Sequence, residues 1–167
     1  LRQDGGSSSV INFNNASALE EFKGDKDFWT VENGRALVKK HDLNRLPDGR
    51  EFTIELTETT DSIEFEFEVN SEPDYDFFIF KIYSDDGTLW EELRYSGKTK
   101  GPVAVNLPLG QYKFEWIYQK DECGSPKEDT VKIGTITLGS VATGTVIGYF
   151  QADKVSVWNN LTVIKTG

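Results

Sequence analysis

Apolar and polar residues alternate along much of this chain with a period of two. Phe52, Ile54 and Leu56 fall on one side of an extended backbone, and Thr53, Glu55 and Thr57 on the other. Ile63, Phe65, Phe67 and Val69 repeat the pattern against Glu64, Glu66 and Glu68. Successive side chains of a strand point to opposite faces, so each segment predicts a strand with one dry and one wet face. The glutamates then read as a solvated outer face. In Tyr112-Lys-Phe-Glu-Trp-Ile-Tyr118 the aromatics Tyr112, Phe114, Trp116 and Tyr118 share one side and are expected in the core.

Phe77-Phe-Ile-Phe-Lys-Ile-Tyr83 is apolar on both faces, which predicts a central strand covered on both sides. Asp85-Asp86-Gly87 supplies a turn, and Leu89 to Tyr95 returns as its partner. Val103 to Leu107 predicts a strand that leads through a turn at Pro108-Leu109-Gly110 into the aromatic one. Asn33-Gly34, the dipeptide suited to the positive φ values of a tight hairpin, joins strands expected over 27–31 and 35–39. Between 130 and 138 the apolar phase switches, from Val131 and Ile133 to Ile136 and Leu138, so a bulge is expected near Gly134.

A short strand is expected over 10–13, and Asn15 to Phe22 carries a cap and apolar spacing for one or two turns of helix. Residues 41–49 read as a loop, and 145–150, 155–158 and 161–164 as a closing hairpin and strand. The expected organisation is a flexible N-terminal segment over 1–9, a sandwich over 10–139, and a C-terminal β-hairpin extension over 140–167. Short strands with frequent turn signals and almost no helix predict an all-β, two-sheet antiparallel sandwich.

Composition narrows the function classes. The length of 167 residues suits one domain. Asp+Glu number 28 against 18 Lys+Arg, a net charge of −10 that repels nucleic acid and anionic membrane surfaces. No apolar run is long enough for a spanning helix, so membrane insertion is not expected. Cys123 is the single cysteine, which excludes an internal disulfide. The single histidine, His41, lies in a polar loop beside Asp42, and no nucleophile-elbow motif accompanies it. One histidine and one cysteine cannot build a His/Cys metal site. Carboxylates are too numerous for their presence to mark a glycosidase pair. The expectation is therefore not an enzyme. The sequons Asn15-Ala16-Ser17 and Asn160-Leu161-Thr162 point to glycosylation at Asn15 and Asn160 and to an extracellular or cell-surface location.

Two regions carry a resemblance. One is Ser71-Glu-Pro-Asp-Tyr-Asp-Phe-Phe-Ile-Phe-Lys-Ile-Tyr83, and Tyr95-Ser96-Gly97 follows it. The other is Leu107-Pro-Leu-Gly-Gln-Tyr-Lys-Phe-Glu-Trp-Ile-Tyr-Gln-Lys-Asp121, followed by Glu128-Asp129-Thr-Val-Lys-Ile133. Over roughly residues 10 to 138 their order and spacing resemble the jelly-roll domains of surface proteins, similar to lectin-like and MAM-like domains and to carbohydrate-binding modules. The chain departs from that group in lacking paired cysteines, in carrying Gly134 where an aspartate is common, and in having Gly101-Pro102 in place of a tryptophan. The resemblance implies a jelly-roll sandwich and a recognition domain without catalytic activity.

Sugar recognition needs flat aromatic faces exposed to water beside polar groups that orient hydroxyls. Trp90 and Tyr95, with Arg94 and Asp86 beside them, are the candidate ligand-binding residues. Jelly rolls often carry a structural calcium held by carboxylates; Asp74, Asp76 and Asp129 are the candidate ligands for one, with Asp85 and Asp86 in neighbouring turns. The expected partner is a glycan, the alternative being a protein partner for a structural or adhesion domain of a larger cell-surface protein. A hydrolase forms a third class, which would require two carboxylates facing each other across a cleft.

Overall fold

The structure is a computed structural model, and it describes residues 7–38, 51–120 and 130–140. The described residues form ten strands: β1 (Ser7–Ile11), β2 (Lys23–Gly24), β3 (Trp29–Glu32), β4 (Arg35–Val38), β5 (Glu51–Asn70), β6 (Phe77–Ser84), β7 (Leu89–Tyr95), β8 (Lys98–Gln119), β9 (Thr130–Ile133) and β10 (Ile136–Ser140). All pairings are antiparallel, in the order β3-β4-β9-β5-β8-β6-β7, with β10 on β5, β1 on β10 and β2 on β5. The chain is an all-β sandwich, as its residue pattern predicts, of the jelly-roll kind that the resemblance implies.

Two very long strands make the sandwich. β5 and β8 pair along almost their whole lengths, with one register break: Thr60 faces Gly110, whereas Ser62 faces Asn106. Asp61 therefore opposes Leu107, Pro108 and Leu109, and both strands bend there from one sheet into the other. The first sheet holds β2, the first half of β5, the second half of β8, β6 and β7. The second holds β3, β4, β9, β10, β1 and the other halves of β5 and β8. Ring contacts between residues that are not partners in any ladder show the two inner faces meeting. Phe65 on β5 lies 4.8 Å from Phe80 and 5.8 Å from Trp116, and Phe67 lies 5.3 Å from Phe78.

The strands expected separately over 52–57 and 63–69 are thus one strand, as are those expected over 103–107 and 112–118. Pro108-Leu109-Gly110 is a bend within β8 rather than a hairpin turn. The apolar phase explains the arrangement. Even-numbered Phe52, Ile54 and Leu56 and odd-numbered Ile63, Phe65 and Phe67 are all buried, and only a break between them lets both sets face inward. Thr60 closes that break with its buried hydroxyl, which bonds the carbonyls of Ser62 (2.8 Å) and Gly139 and accepts from Ser62 N–H.

Other expectations hold closely. β7 spans Leu89–Tyr95 and β6 ends one residue beyond Tyr83. Asn33 and Gly34 take φ of 53° and 77° in the β3–β4 turn. Phe67 pairs with Ile133 while Glu64 pairs with Thr137, which puts one extra residue beside Gly134. The expected helix is a 3-10 turn over Ala16–Glu21, capped by the Asn15 side chain on Ser17 N–H (3.0 Å). With Leu19 its one buried residue, that turn has little tertiary packing to extend it. Phe22 beyond it is buried and meets Trp116 edge-on at 5.7 Å. Ser7–Ser9, expected to be a flexible lead-in, pair with Leu138–Ser140. The expected loop at 41–49 with His41, Cys123, Asp129, the strands beyond 145 and Asn160 lie outside the described residues.

Candidate ligand-binding rim

The β6–β7 hairpin carries all four expected binding residues, Asp86 in its turn and Trp90, Arg94 and Tyr95 along β7, but turns them to different faces. Asp86 caps the turn: its Oδ1 accepts from Ser84 Oγ (2.6 Å) and from Thr88 N–H (2.9 Å). These bonds favour the charged carboxylate, the Ser84 hydroxyl most of all, and lower its pKa to about 2. Asp86 thus holds the turn, and both bonds to its carboxylate come from the turn itself.

Glu91 pairs with Ile82 and Leu89 with Tyr83, which leaves Trp90 as the extra residue of a bulge. The bulge turns its ring toward Tyr112, 6.3 Å away edge-on, while the side chain stays 49% exposed. Tyr112 is itself fixed: its hydroxyl donates to the Pro108 carbonyl at 2.5 Å, and burial raises its pKa. Leu89 and Leu109 on the neighbouring segments are exposed as well. The result is a water-facing rim of Leu89, Trp90 and Leu109 over a rigid Tyr112 base, at the end of the sandwich where β8 bends. Sequence pattern alone misses Leu109, because Pro108-Leu109-Gly110 reads as a turn.

Tyr95 does not join this rim. Its ring lies 4.3 Å from Phe67 and 6.0 Å from Phe78, so it seals the edge of the core, and burial raises its pKa, with a smaller push from Glu91. Strand parity places Leu93 and Tyr95 inside opposite Phe80 and Phe78. That is the correction to its expected role as an exposed platform. Arg94 faces outward on β7, paired with Glu92 at 3.1 Å and lying 4.7 Å over the Phe77 ring. Of the four candidates, Trp90 alone presents an open ring.

The aspartates of the candidate calcium site lie in separate surroundings. Asp74 is exposed in a left-handed conformation (φ 68°), its N–H donating to Ser96 Oγ at 2.7 Å. Asp76 is fully buried and forms an ion pair with Lys120 at 3.3 Å. Among the described residues no group of three His, Cys, Asp or Glu side chains is placed to hold a metal ion. Asn15 is exposed, with its side chain engaged as the cap of the 3-10 turn.

No protein-family model and no curated protein matches the sequence. Solved structures do share the fold. A family two carbohydrate esterase from Cellvibrio japonicus is similar over 86% of this chain and 37% of its own, with a TM-score of 0.51 at 10% identity. The Crh5 transglycosylase, solved in complex with NAG, is similar over 80% of this chain and 84% of its own, also at 0.51 and 10%. The carbohydrate-binding module TmCBM27, described for mannan recognition, covers 81% and 98% with a TM-score of 0.49 at 8% identity. The chain thus spans little more than a third of the esterase's length. The likenesses to the esterase and the transglycosylase are likenesses of fold. Among the described residues no helix is long and apolar enough to cross a membrane.

Proposed function

We propose that this chain is a non-catalytic carbohydrate-binding domain of an extracellular or cell-surface protein, taking a sugar ring against the exposed face of Trp90. The observation that carries the reading is the geometry of that ring. It is half-exposed, fixed by a bulge on a hydrogen-bonded strand, and backed by a Tyr112 that cannot swing away. A rigid aromatic held ready in water loses little entropy when a ligand stacks on it. The turn that leads into Trp90 is itself held by bonds from Ser84 and Thr88 to Asp86.

A glycan array of the recombinant chain, with and without chelator, tests this reading, with Trp90→Ala as the control. Binding weakened at least about tenfold by the substitution, roughly 1.4 kcal/mol, is the expected result. The chelator arm tests the calcium expected at Asp74, Asp76 and Asp129. A second reading has its own observation: among the described residues β7 is an edge strand of the first sheet, and exposed Leu89, Trp90 and Leu109 offer apolar contact area. Exposed apolar patches suit protein partners. Failure to bind any glycan in either condition would sink the sugar reading in favour of that one.

A further inference from the structure

We propose a second saccharide subsite on the outer face of the second sheet, where Arg35, Glu66, Glu68 and Lys100 receive the hydroxyls of a neutral sugar. It rests on the reading of the chain as carbohydrate-binding, but uses different residues and different chemistry from the Trp90 rim.

A depression of about 390 Å³ lies there, lined by Arg35, Glu66, Phe67, Glu68, Lys100 and Gly101. Its floor is the backbone of the Phe67–Gly101 pair. The Phe67 ring points to the opposite side of the sheet, into the contacts with Phe78 and Tyr95. The walls are outward side chains of β4, β5 and β8, and β9 joins β4 to β5 in one hydrogen-bonded sheet, so the frame is rigid. Glu68 is opposite Lys100 on β8 and Lys132 on β9, and Arg35 Nη1 bonds its Oε1 at 2.9 Å. That bond, opposed by burial and helped by the charges of Lys132, Arg35 and Lys100, lowers the pKa of Glu68 and keeps it an acceptor.

The four walls carry two positive and two negative charges in a protein whose net charge is −10. An anionic ligand would meet Glu66 and Glu68, and a cationic one Arg35 and Lys100. A neutral ligand meets neither objection. What the site offers is a dense set of hydrogen-bonding groups: N–H donors on the guanidinium and ammonium, acceptors on both carboxylates. A ligand that supplies a donor and an acceptor at successive carbons, without charge, matches it, and a sugar's vicinal hydroxyls do so. Bonds to charged groups are the stronger kind, which offsets the missing aromatic platform.

Amide NMR titration of the whole chain separates the two sites. The probes are xylohexaose and mannohexaose as neutral saccharides and trigalacturonate as an acidic one. The proteins are the parent chain, Trp90→Ala, Glu66→Gln and Lys100→Met. A neutral hexasaccharide should shift the amides of Glu66 to Glu68, Lys100 and Gly101, and should still do so in Trp90→Ala. Glu66→Gln and Lys100→Met should each weaken that response about tenfold, with thermal unfolding unchanged because both side chains are exposed. Raising NaCl to about 0.5 M should leave the affinity unchanged, because a neutral ligand has no charge to screen. Shifts confined to Trp90 and Tyr112 would overturn the second subsite and leave the first. Preference for trigalacturonate with strong salt dependence would overturn the neutral-sugar assignment. No response to any probe would overturn both.

Discussion

Lys120 Nζ lies 3.3 Å from the Asp76 carboxylate, and both side chains are buried, at 9% and 0% relative exposure. The pair extends the β6–β8 ladder one step past Phe77 and Gln119 and fixes the segment that enters β6. Ser71 locks the same segment from behind: its hydroxyl donates to the Asp76 carbonyl at 3.0 Å and accepts from Gly97 N–H at 3.0 Å. Removing one member leaves a charge without this counter-ion in a place water does not reach. Lys120→Met should therefore cost about 3–5 kcal/mol. Asp76→Leu with Lys120→Met should recover much of that loss, since a buried pair replaced by apolar groups is often neutral. Urea unfolding of the parent chain and the two variants measures it. Equal loss in the single and double variants would show that the pair does not act as a unit.

Thr60 is the hinge pin of the sandwich. Its hydroxyl bonds the carbonyls of Ser62 and Gly139 at the point where β5 changes sheets, tying the crossing to β10. Valine has the same shape and no hydroxyl, so Thr60→Val leaves those groups unpaired inside the protein. The expected cost is about 1–3 kcal/mol in urea unfolding. Amide exchange should speed up most in Ser62 and Gly139. Uniform acceleration over the whole chain would argue against a local role.

The division between what the residue pattern reveals and what it hides follows from where the information lies. Alternation within one strand is local, so β6, β7 and the phase break at Gly134 are legible before any coordinates. The fused strands are not, because a Pro-Leu-Gly turn and a Pro-Leu-Gly bend look alike along the chain. What distinguishes them is Thr60, nearly fifty residues away and paired with Gly110. The same reason separates Trp90 from Tyr95. Both are aromatics on one edge strand, but the bulge opposite Ile82 and Tyr83 turns Trp90 out to the rim, while Phe67 on another strand covers Tyr95. A period of two says that faces exist and leaves open what lies over each. The balanced charges of the second subsite are invisible for that reason too, since Arg35, Glu68 and Lys100 meet only through strand register.

Gly24 is the point where the shortest strand touches β5. Its φ is +109°, and a Cβ there would sit 2.3 Å from the Thr53 carbonyl oxygen, a backbone atom that cannot step aside. Asp25 next to it is bonded twice to Thr53, its N–H to the carbonyl at 2.7 Å and its Oδ2 to the amide at 2.9 Å. Gly24→Ala should break the β2–β5 pairing and destabilise the chain by on the order of 1–3 kcal/mol. Gly87 has a positive φ as well, but nothing lies within 4 Å of a Cβ built there. Gly87→Ala should cost less, and the thermal midpoints of the two variants give the comparison. A Gly24→Ala chain as stable as Gly87→Ala would show that close approach to Thr53 is not required.

Acid should loosen the β6–β7 turn below the rest of the fold. Asp86 titrates at about 2 in the folded chain against 3.8 for an ordinary aspartate. A depressed folded value means that protons bind the unfolded chain more readily. The turn's contribution is therefore complete above pH about 4 and drains away as pH falls toward 2. The Ser84 hydroxyl is the largest cause, ahead of Thr88, so Ser84→Ala should move the Asp86 midpoint up toward 3.8. Carboxyl carbon NMR titration reads that midpoint directly. Because the turn leads into Leu89 and Trp90, the Trp90 indole signal should broaden or shift over the same pH range. In Ser84→Ala that change should begin at higher pH. An Asp86 midpoint unmoved by Ser84→Ala would show that Thr88, through its side chain and backbone amide, sets the turn instead.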